Sequence, residues 1–203
     1  MTRHTADTSA RFFEQLYREA DDPWNFRHSP YERGRYQAIV KCLGGRRYRR
    51  ALEPGCAIGE LTSMLAPLCD EMKAFDLSAS AVTTARLRCR EEAHVSIATG
   101  SLPADMPEGS FDLIIFSELG YYFTAGELGR VARLLWTALE PGGRFVACHW
   151  LGHSDDHRLH GSDVGQVLTQ QFGPSDMETQ PGEGFLLQHW TRGHQTHGAA
   201  TDQ

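Results

Sequence analysis

The chain has 203 residues, 40% of them apolar, and a formal net charge of −6; it is long enough to bury a core and reads most simply as one domain. An acidic balance speaks against a broad nucleic-acid surface, because phosphate binding rewards a basic face, and the basic run GRRYRR from Gly45 to Arg50 reads as a solvated loop. Five scattered cysteines without a CxxC pair, an opening MTRHTADTSA that lacks an apolar signal segment, and no apolar stretch near the roughly 20 residues of a membrane span point to a soluble cytoplasmic protein.

Residues 9–20 carry Phe12, Phe13, Leu16, Tyr17 and Ala20 at helical spacing behind Ser9 as a cap. The loop DDPWNFRHSP follows, then a second helix with Tyr36, Ile39, Val40 and Leu43 on one face, stopped by Gly44 and Gly45. Phe12, Phe13, Leu16, Leu134 and Leu135 are spaced as core faces.

A strand and helix rhythm then takes over: strand 49–54, helix 58–66, strand 71–76, helix 79–91, strand 94–99, strand 111–116, helix 126–139, strand 143–150. FDLIIF at 111–116 is apolar at most positions, as a strand covered on both faces requires. After a helix at 162–172, short runs at 175–180 and 185–191 separated by PGEG predict an antiparallel hairpin. The fold expected is α/β, a Rossmann-like doubly wound sheet, mostly parallel with an antiparallel C-terminal hairpin strand and helices on both faces. It forms one domain over 1–192 in which two leading helices, about 9–45, serve as a lid; the small polar tail 193–203 is expected to be disordered.

ALEPGCAIGELT, residues 51–62, is the turn after the first strand. In an open parallel sheet, ligands bind beyond the carboxyl ends of strands, and Gly55 and Gly59 let a ligand lie against the main chain. A dinucleotide fingerprint is missing, since Ala57 and Glu60 occupy its second and third glycine positions, and no Gly-Lys-Ser/Thr follows. Glu53 would repel phosphate and welcome an ammonium or sulfonium, while Asp76, about 20 residues past the turn, is placed to accept from ribose hydroxyls. The ligand implied is a positively charged nucleoside, which S-adenosylmethionine fits.

LEPGCAIG, AFDLS, GSLP, FDLIIFSELGYYF and LEPGGRFV, in that order over residues 51–147, resemble the motifs of class I S-adenosylmethionine-dependent methyltransferases, with Ala57 in place of the middle glycine of the first. DDPWNFRHSPYERGRY together with ALEPGCAIGELTSMLAPLCDEMKAFDLSASAV narrows the resemblance to the NodS-type nodulation methyltransferases, over about residues 11–125. Their namesake activity is N-methylation of the amino sugar ending a deacetylated chitin-like oligosaccharide.

The resemblance implies S-adenosylmethionine held by Glu53, Gly55, Cys56, Ala57 and Gly59 of the turn, by Asp76 and Leu77, by Ser101 and Leu102 at the adenine, and by Ser117. Ser101 stands where an aspartate is often found, so its adenine contact is the weaker. Trp24 and Arg35 join from the front, Arg35 as a partner for the methionine carboxylate. Methyl transfer is an in-line displacement that depends on positioning and on excluding water. Glu118 is the candidate to accept a hydrogen bond from an amine, Tyr121 to orient the acceptor, and His149, at the end of the fifth strand, to accept a proton.

HWLGHSDDHRLHG has ligand-type residues but straddles a strand end and a loop, so it reads as a polar loop at the substrate mouth and no metal is expected. Cys56 reads as packing rather than as a reactive thiol. The function expected is methyl transfer to a small molecule, foremost an amine, with no nucleic-acid or membrane partner and an open oligomeric state. An O-methyltransferase, or a cofactor-binding regulator without catalysis, is the alternative.

Overall fold

The computed structural model describes residues 9–174 and 177–193; the tail expectation, apart from Gly193, lies outside them. The elements are α1 (Ala10–Glu19), α2 (Pro30–Cys42), β1 (Tyr48–Pro54), α3 (Glu60–Leu65), β2 (Cys69–Asp76), α4 (Ala79–Arg88), β3 (Val95–Thr99), β4 (Phe111–Ser117), α5 (Ala125–Ala138), β5 (Leu139–Trp150), α6 (Gly161–Phe172), β6 (Met177–Pro181) and β7 (Phe185–Thr191). Short 3-10 turns occupy Ala66–Leu68 and Gly120–Tyr122.

Local chemistry sets these boundaries. Ser9, Ser29, Ser78 and Thr124 cap α1, α2, α4 and α5, each accepting a backbone N–H in the first turn. α3 begins at Glu60, two residues later than the periodicity predicts, because Ala57 (φ 49°) and Gly59 (φ 79°) are left-handed. α4 stops at Arg88 rather than 91, where Glu91 and Glu92 would set two carboxylates against the negative helix end. β5 begins at Leu139 instead of 143: the Glu140–Gly143 segment is taken into the strand through a register shift against β4.

The seven strands run in the order β3-β2-β1-β4-β5-β7-β6. The first five are parallel neighbours, and β7 pairs antiparallel with both β5 and β6. α2 and α3 cover one face through Ile39, Leu61 and Leu65, joined there by α4. α5 and α6 cover the other through Leu128, Leu135 and Leu168. This is the doubly wound sheet expected, with the order reversing between β1 and β4, where a crevice opens at the carboxyl ends.

GRRYRR differs from its sequence reading, since Tyr48–Arg50 are the first residues of β1. Asp112 accepts from the backbone N–H groups of Arg49 and Arg50 at 3.0 and 2.9 Å. The side chains of Arg47, Arg49 and Arg50 pair with Asp70, Glu140 and Glu71. Among the described residues no helix is long and apolar enough to cross a membrane.

Candidate functional site

At the carboxyl ends of the strands lies a cavity of about 760 Å³. The turn after β1 forms its floor. Gly55 and Cys56 both donate their N–H to the Phe75 carbonyl, at 2.7 and 3.1 Å, which ties the turn to β2. Ala57 N–H and Ser78 N–H, each at 2.9 Å, donate to the two oxygens of Asp76. That carboxylate is fixed by backbone, and its remaining lone pairs are available to a ligand in the cavity it lines. Burial raises its pKa, against the pull of the backbone bonds.

A smaller side chamber of about 40 Å³ shares Gly55, Ala57 and Glu118 with the main cavity and is bordered by Glu53, Arg35 and Ser117. Glu53 is fully enclosed, accepts from Thr62 Oγ1 at 2.7 Å, and is pushed by burial up to about 8. Arg35, 1% exposed, donates to Ser117 Oγ at 2.7 Å and through Nε and Nη2 to Glu32. Burial acts to lower its pKa, but Glu118 and Glu32 hold it above the ordinary value. Three of its five N–H donors are thereby engaged, and the guanidinium also meets the Cys148 side chain and Glu118.

Glu118 follows β4 in a left-handed conformation (φ 54°), which costs a non-glycine residue energy and often marks a functional position. One oxygen accepts from Trp150 N–H at 2.7 Å and the other from Tyr121 OH at 2.8 Å; Arg35 Nη1 is 3.7 Å away. Burial raises its pKa and Arg35 opposes this.

Most of the residues singled out from the sequence converge here. Gly55, Ala57, Asp76 and Leu77 line the main cavity, as do Ser101 and Leu102, and Trp24, Glu118 and Tyr121. Glu53, Cys56, Arg35 and Ser117 border only the side chamber. The Cys56 side chain is buried and packs with Ala74, Val82 and Ala85, so the thiol is not presented to a ligand. The Ser101 hydroxyl donates to Asp105 at 3.4 Å rather than standing free.

Two of the expected residues lie outside both chambers. Gly59 borders neither chamber: a Cβ there would lie 3.0 Å from the Ala85 Cα, so the missing side chain admits α4, not a ligand. His149 lies beneath the floor, where Nε2 accepts from Gly120 N–H at 2.9 Å and burial lowers its pKa to about 3. The neutral ring therefore carries its proton on Nδ1 and braces the 3-10 turn, with its acceptor nitrogen occupied.

Phe13, expected purely as core, also lines the cavity, and so do Tyr17, Phe75 and His157, which were not singled out as site residues. Helical spacing shows which face of α1 is apolar, but a wall of aromatic side chains reads the same whether protein or ligand covers it. The histidines of the 149–160 segment diverge. His153 is exposed beside Asp155, His157 stacks on Tyr121, and His160 caps α6 while facing the Leu151 carbonyl at 2.7 Å. Among the described residues no group of three His, Cys, Asp or Glu side chains is placed to hold a metal ion.

The family described as Nodulation protein S (NodS) matches residues 8–148, more than half of the chain. The chain belongs to the NodS family. Nodulation protein S of Rhizobium tropici is 35% identical over 138 residues, 66% of this chain and 58% of that protein, so the match spans under two thirds of that relative. The Bradyrhizobium diazoefficiens NodS is 37% identical, covering 66% and 68% of the two chains. Among solved structures, a putative methyltransferase from Pseudomonas syringae is 36% identical with a TM-score of 0.71, covering 80% of this chain and 99% of its own. The N-methyltransferase NodS from Bradyrhizobium japonicum WM9, in complex with S-adenosyl-L-homocysteine, is 26% identical with a TM-score of 0.77, covering 89% and 97%. The fold of this NodS-family chain is that of these methyltransferases.

Proposed function

We propose that this protein transfers a methyl group from S-adenosylmethionine to an amine, foremost the amine of an amino sugar at the end of a chitooligosaccharide-like acceptor. The observation that carries the reading is the Gly55–Ala57 turn, which holds the Asp76 carboxylate by backbone at one chamber and opens on Glu53, Arg35 and Glu118 at the other. That donor set fits the cofactor part by part. Asp76 accepts from ribose hydroxyls, Leu77, Ser101 and Leu102 flank the adenine, and Arg35 faces the carboxylate. Glu53 and Glu118 offer carboxyl oxygens to the ammonium and the sulfonium.

When bound, S-adenosylmethionine supplies a methyl group on sulfonium sulfur, which passes to the acceptor nitrogen as the carbon–sulfur bond breaks and its electron pair returns to sulfur. The chain supplies position and dryness. Glu118, beside Arg35, accepts a hydrogen bond from the acceptor N–H, and Tyr121 fixes Glu118. Residues 9–45 form the lid: Phe13, Tyr17, Trp24, Phe26 and Tyr31 wall the cavity from above the sheet. The paired arginines of GRRYRR favour a small-molecule acceptor over nucleic acid, and five buried free thiols fit a cytoplasmic site of action.

Calorimetry with S-adenosylhomocysteine, then transfer of labelled methyl to deacetylated chitooligosaccharides, other amines and small acids, tests the reading. Asp76→Ala is expected to weaken binding by about 1–3 kcal/mol. No heat with S-adenosylhomocysteine, together with tight binding of NADH or ATP, would refute it.

A further inference from the structure

The loop between β5 and α6, residues 151–160, lies beyond the stretch matched by the family and closes one side of the cavity. It is anchored to the 3-10 turn: Arg158 and Leu159 both donate their N–H to the Tyr121 carbonyl, at 2.8 and 3.2 Å. The anchoring lays the His157 ring flat on the Tyr121 ring, centroids 3.6 Å apart at 16°, with Tyr122 and Trp150 edge-on at 5.4 and 6.1 Å. His157 is the one histidine among the described residues lining the cavity, and neither of its ring nitrogens hydrogen-bonds to another described residue. His149 and His160, by contrast, spend ring nitrogens on backbone, and His153 lies outside the cavity.

Building on the amine reading above, we propose that His157 touches the acceptor nitrogen and takes the proton it sheds, a catalytic role the 149–160 segment gives to this histidine and not to His149. Glu118 is poorly suited to that part, because both oxygens already accept hydrogen bonds and Arg35 stabilises its charge. The step is a proton transfer: the N–H bond breaks, the nitrogen keeps the electron pair, and the imidazole becomes imidazolium and passes the proton to solvent. The groups around the ring suit it to cycle. Burial lowers its pKa and Asp156 acts to raise it, while His153 and His160 lower it further, so the free ring is neutral and ready at pH 7. Tyr121 and Tyr122 of the 3-10 turn, both pushed up by burial, stay protonated beside it. Glu118, Glu127 and Arg158 are further charged groups lining this side of the cavity.

His157→Phe keeps a ring to stack on Tyr121 and removes both nitrogens, while His157→Gln keeps polarity and removes the base. Both are assayed with labelled S-adenosylmethionine and a glucosamine-ended chitooligosaccharide across pH 6–9. At pH 7 both variants are expected to lose at least about tenfold in kcat. The deficit should shrink at high pH and on adding imidazole, with S-adenosylhomocysteine affinity by calorimetry within about twofold of wild type. In wild type loaded with S-adenosylhomocysteine, the His157 C2–H resonance, assigned by its loss in His157→Phe, should move when the amine is added. A His157→Phe variant with wild-type kcat and pH profile, or an unmoved resonance, overturns the proposal. A wild type that binds S-adenosylhomocysteine but methylates no amine instead overturns the amine reading itself.

Discussion

Gly59 separates packing from ligand binding within a single turn. It precedes α3 at φ 79°, ψ 19°, and an added Cβ would stand 3.0 Å from both the Cα and the Cβ of Ala85 in α4. Left-handed backbone costs an L-residue roughly 1–2 kcal/mol, and crowding a packed contact roughly 1–3 kcal/mol. Gly59→Ala is therefore expected to cost about 2–5 kcal/mol, a large share of the roughly 5–15 kcal/mol of a typical domain. Ala57, two residues earlier, already sits at φ 49°, so Ala57→Gly should be neutral or stabilising, within about 1 kcal/mol. Urea unfolding followed by circular dichroism gives both numbers, with calorimetry against S-adenosylhomocysteine in parallel. A Gly59→Ala loss below about 0.5 kcal/mol, or lost affinity with intact stability, would refute this reasoning and return Gly59 to the ligand.

Glu118→Gln should slow turnover by roughly tenfold or more while S-adenosylhomocysteine affinity changes little; an equal loss of both would move Glu118 into the cofactor seat. Glu14 of α1 accepts from Ser78 Oγ at 2.8 Å and from the N–H and Oγ of Ser80 at 3.1 and 2.8 Å, and these bonds lower its pKa to about 2. Its contribution is thus present above the ordinary value of 4.5 and lost as pH falls toward 2. Glu14→Ala should speed protease cleavage in the 20–29 loop severalfold at pH 7, and wild type should approach the variant's rate near pH 3, read with an acid-active protease. His149, neutral in the fold down to about pH 3, binds fewer protons folded than unfolded between 3 and 6.5. Stability from this residue is complete above 6.5 and declines below it, by up to about 1.4 kcal/mol per pH unit. Urea midpoints from pH 7 to 4 should fall more steeply in wild type than in His149→Gln, and parallel slopes would count against the buried neutral ring.

The sheet was legible because its signals are local. FDLIIF is apolar for a strand covered on both faces, and Gly55 follows β1 where the chain must turn at the sheet rim. Asp76 could be found because its place, the end of β2, depends only on chain order. What stayed hidden depends on long-range neighbours. Whether the absent side chain of Gly59 makes room for a ligand or for Ala85 is decided by α4, 26 positions along. His149 and His157 look alike in sequence, yet alternation on β5 turns the first under the 3-10 turn while two backbone bonds lay the second across Tyr121. Arg35 was expected for its charge; its pairing with Glu32, Ser117 and Glu118 depends on β4 lying beneath α2.

The Tyr121 carbonyl joins two stretches of chain with different tasks at the cavity. On the proposed reading the Gly55–Ala57 turn and Asp76 answer to one unchanging nucleoside, so substitutions there carry a common penalty whatever is methylated. After Trp150, ten residues are tied by main-chain bonds to the Tyr121 and Gly184 carbonyls and by the His160 ring to the Leu151 carbonyl. New acceptors can be tried by rewriting that span alone, and libraries confined to it would retain a working donor half in nearly every member.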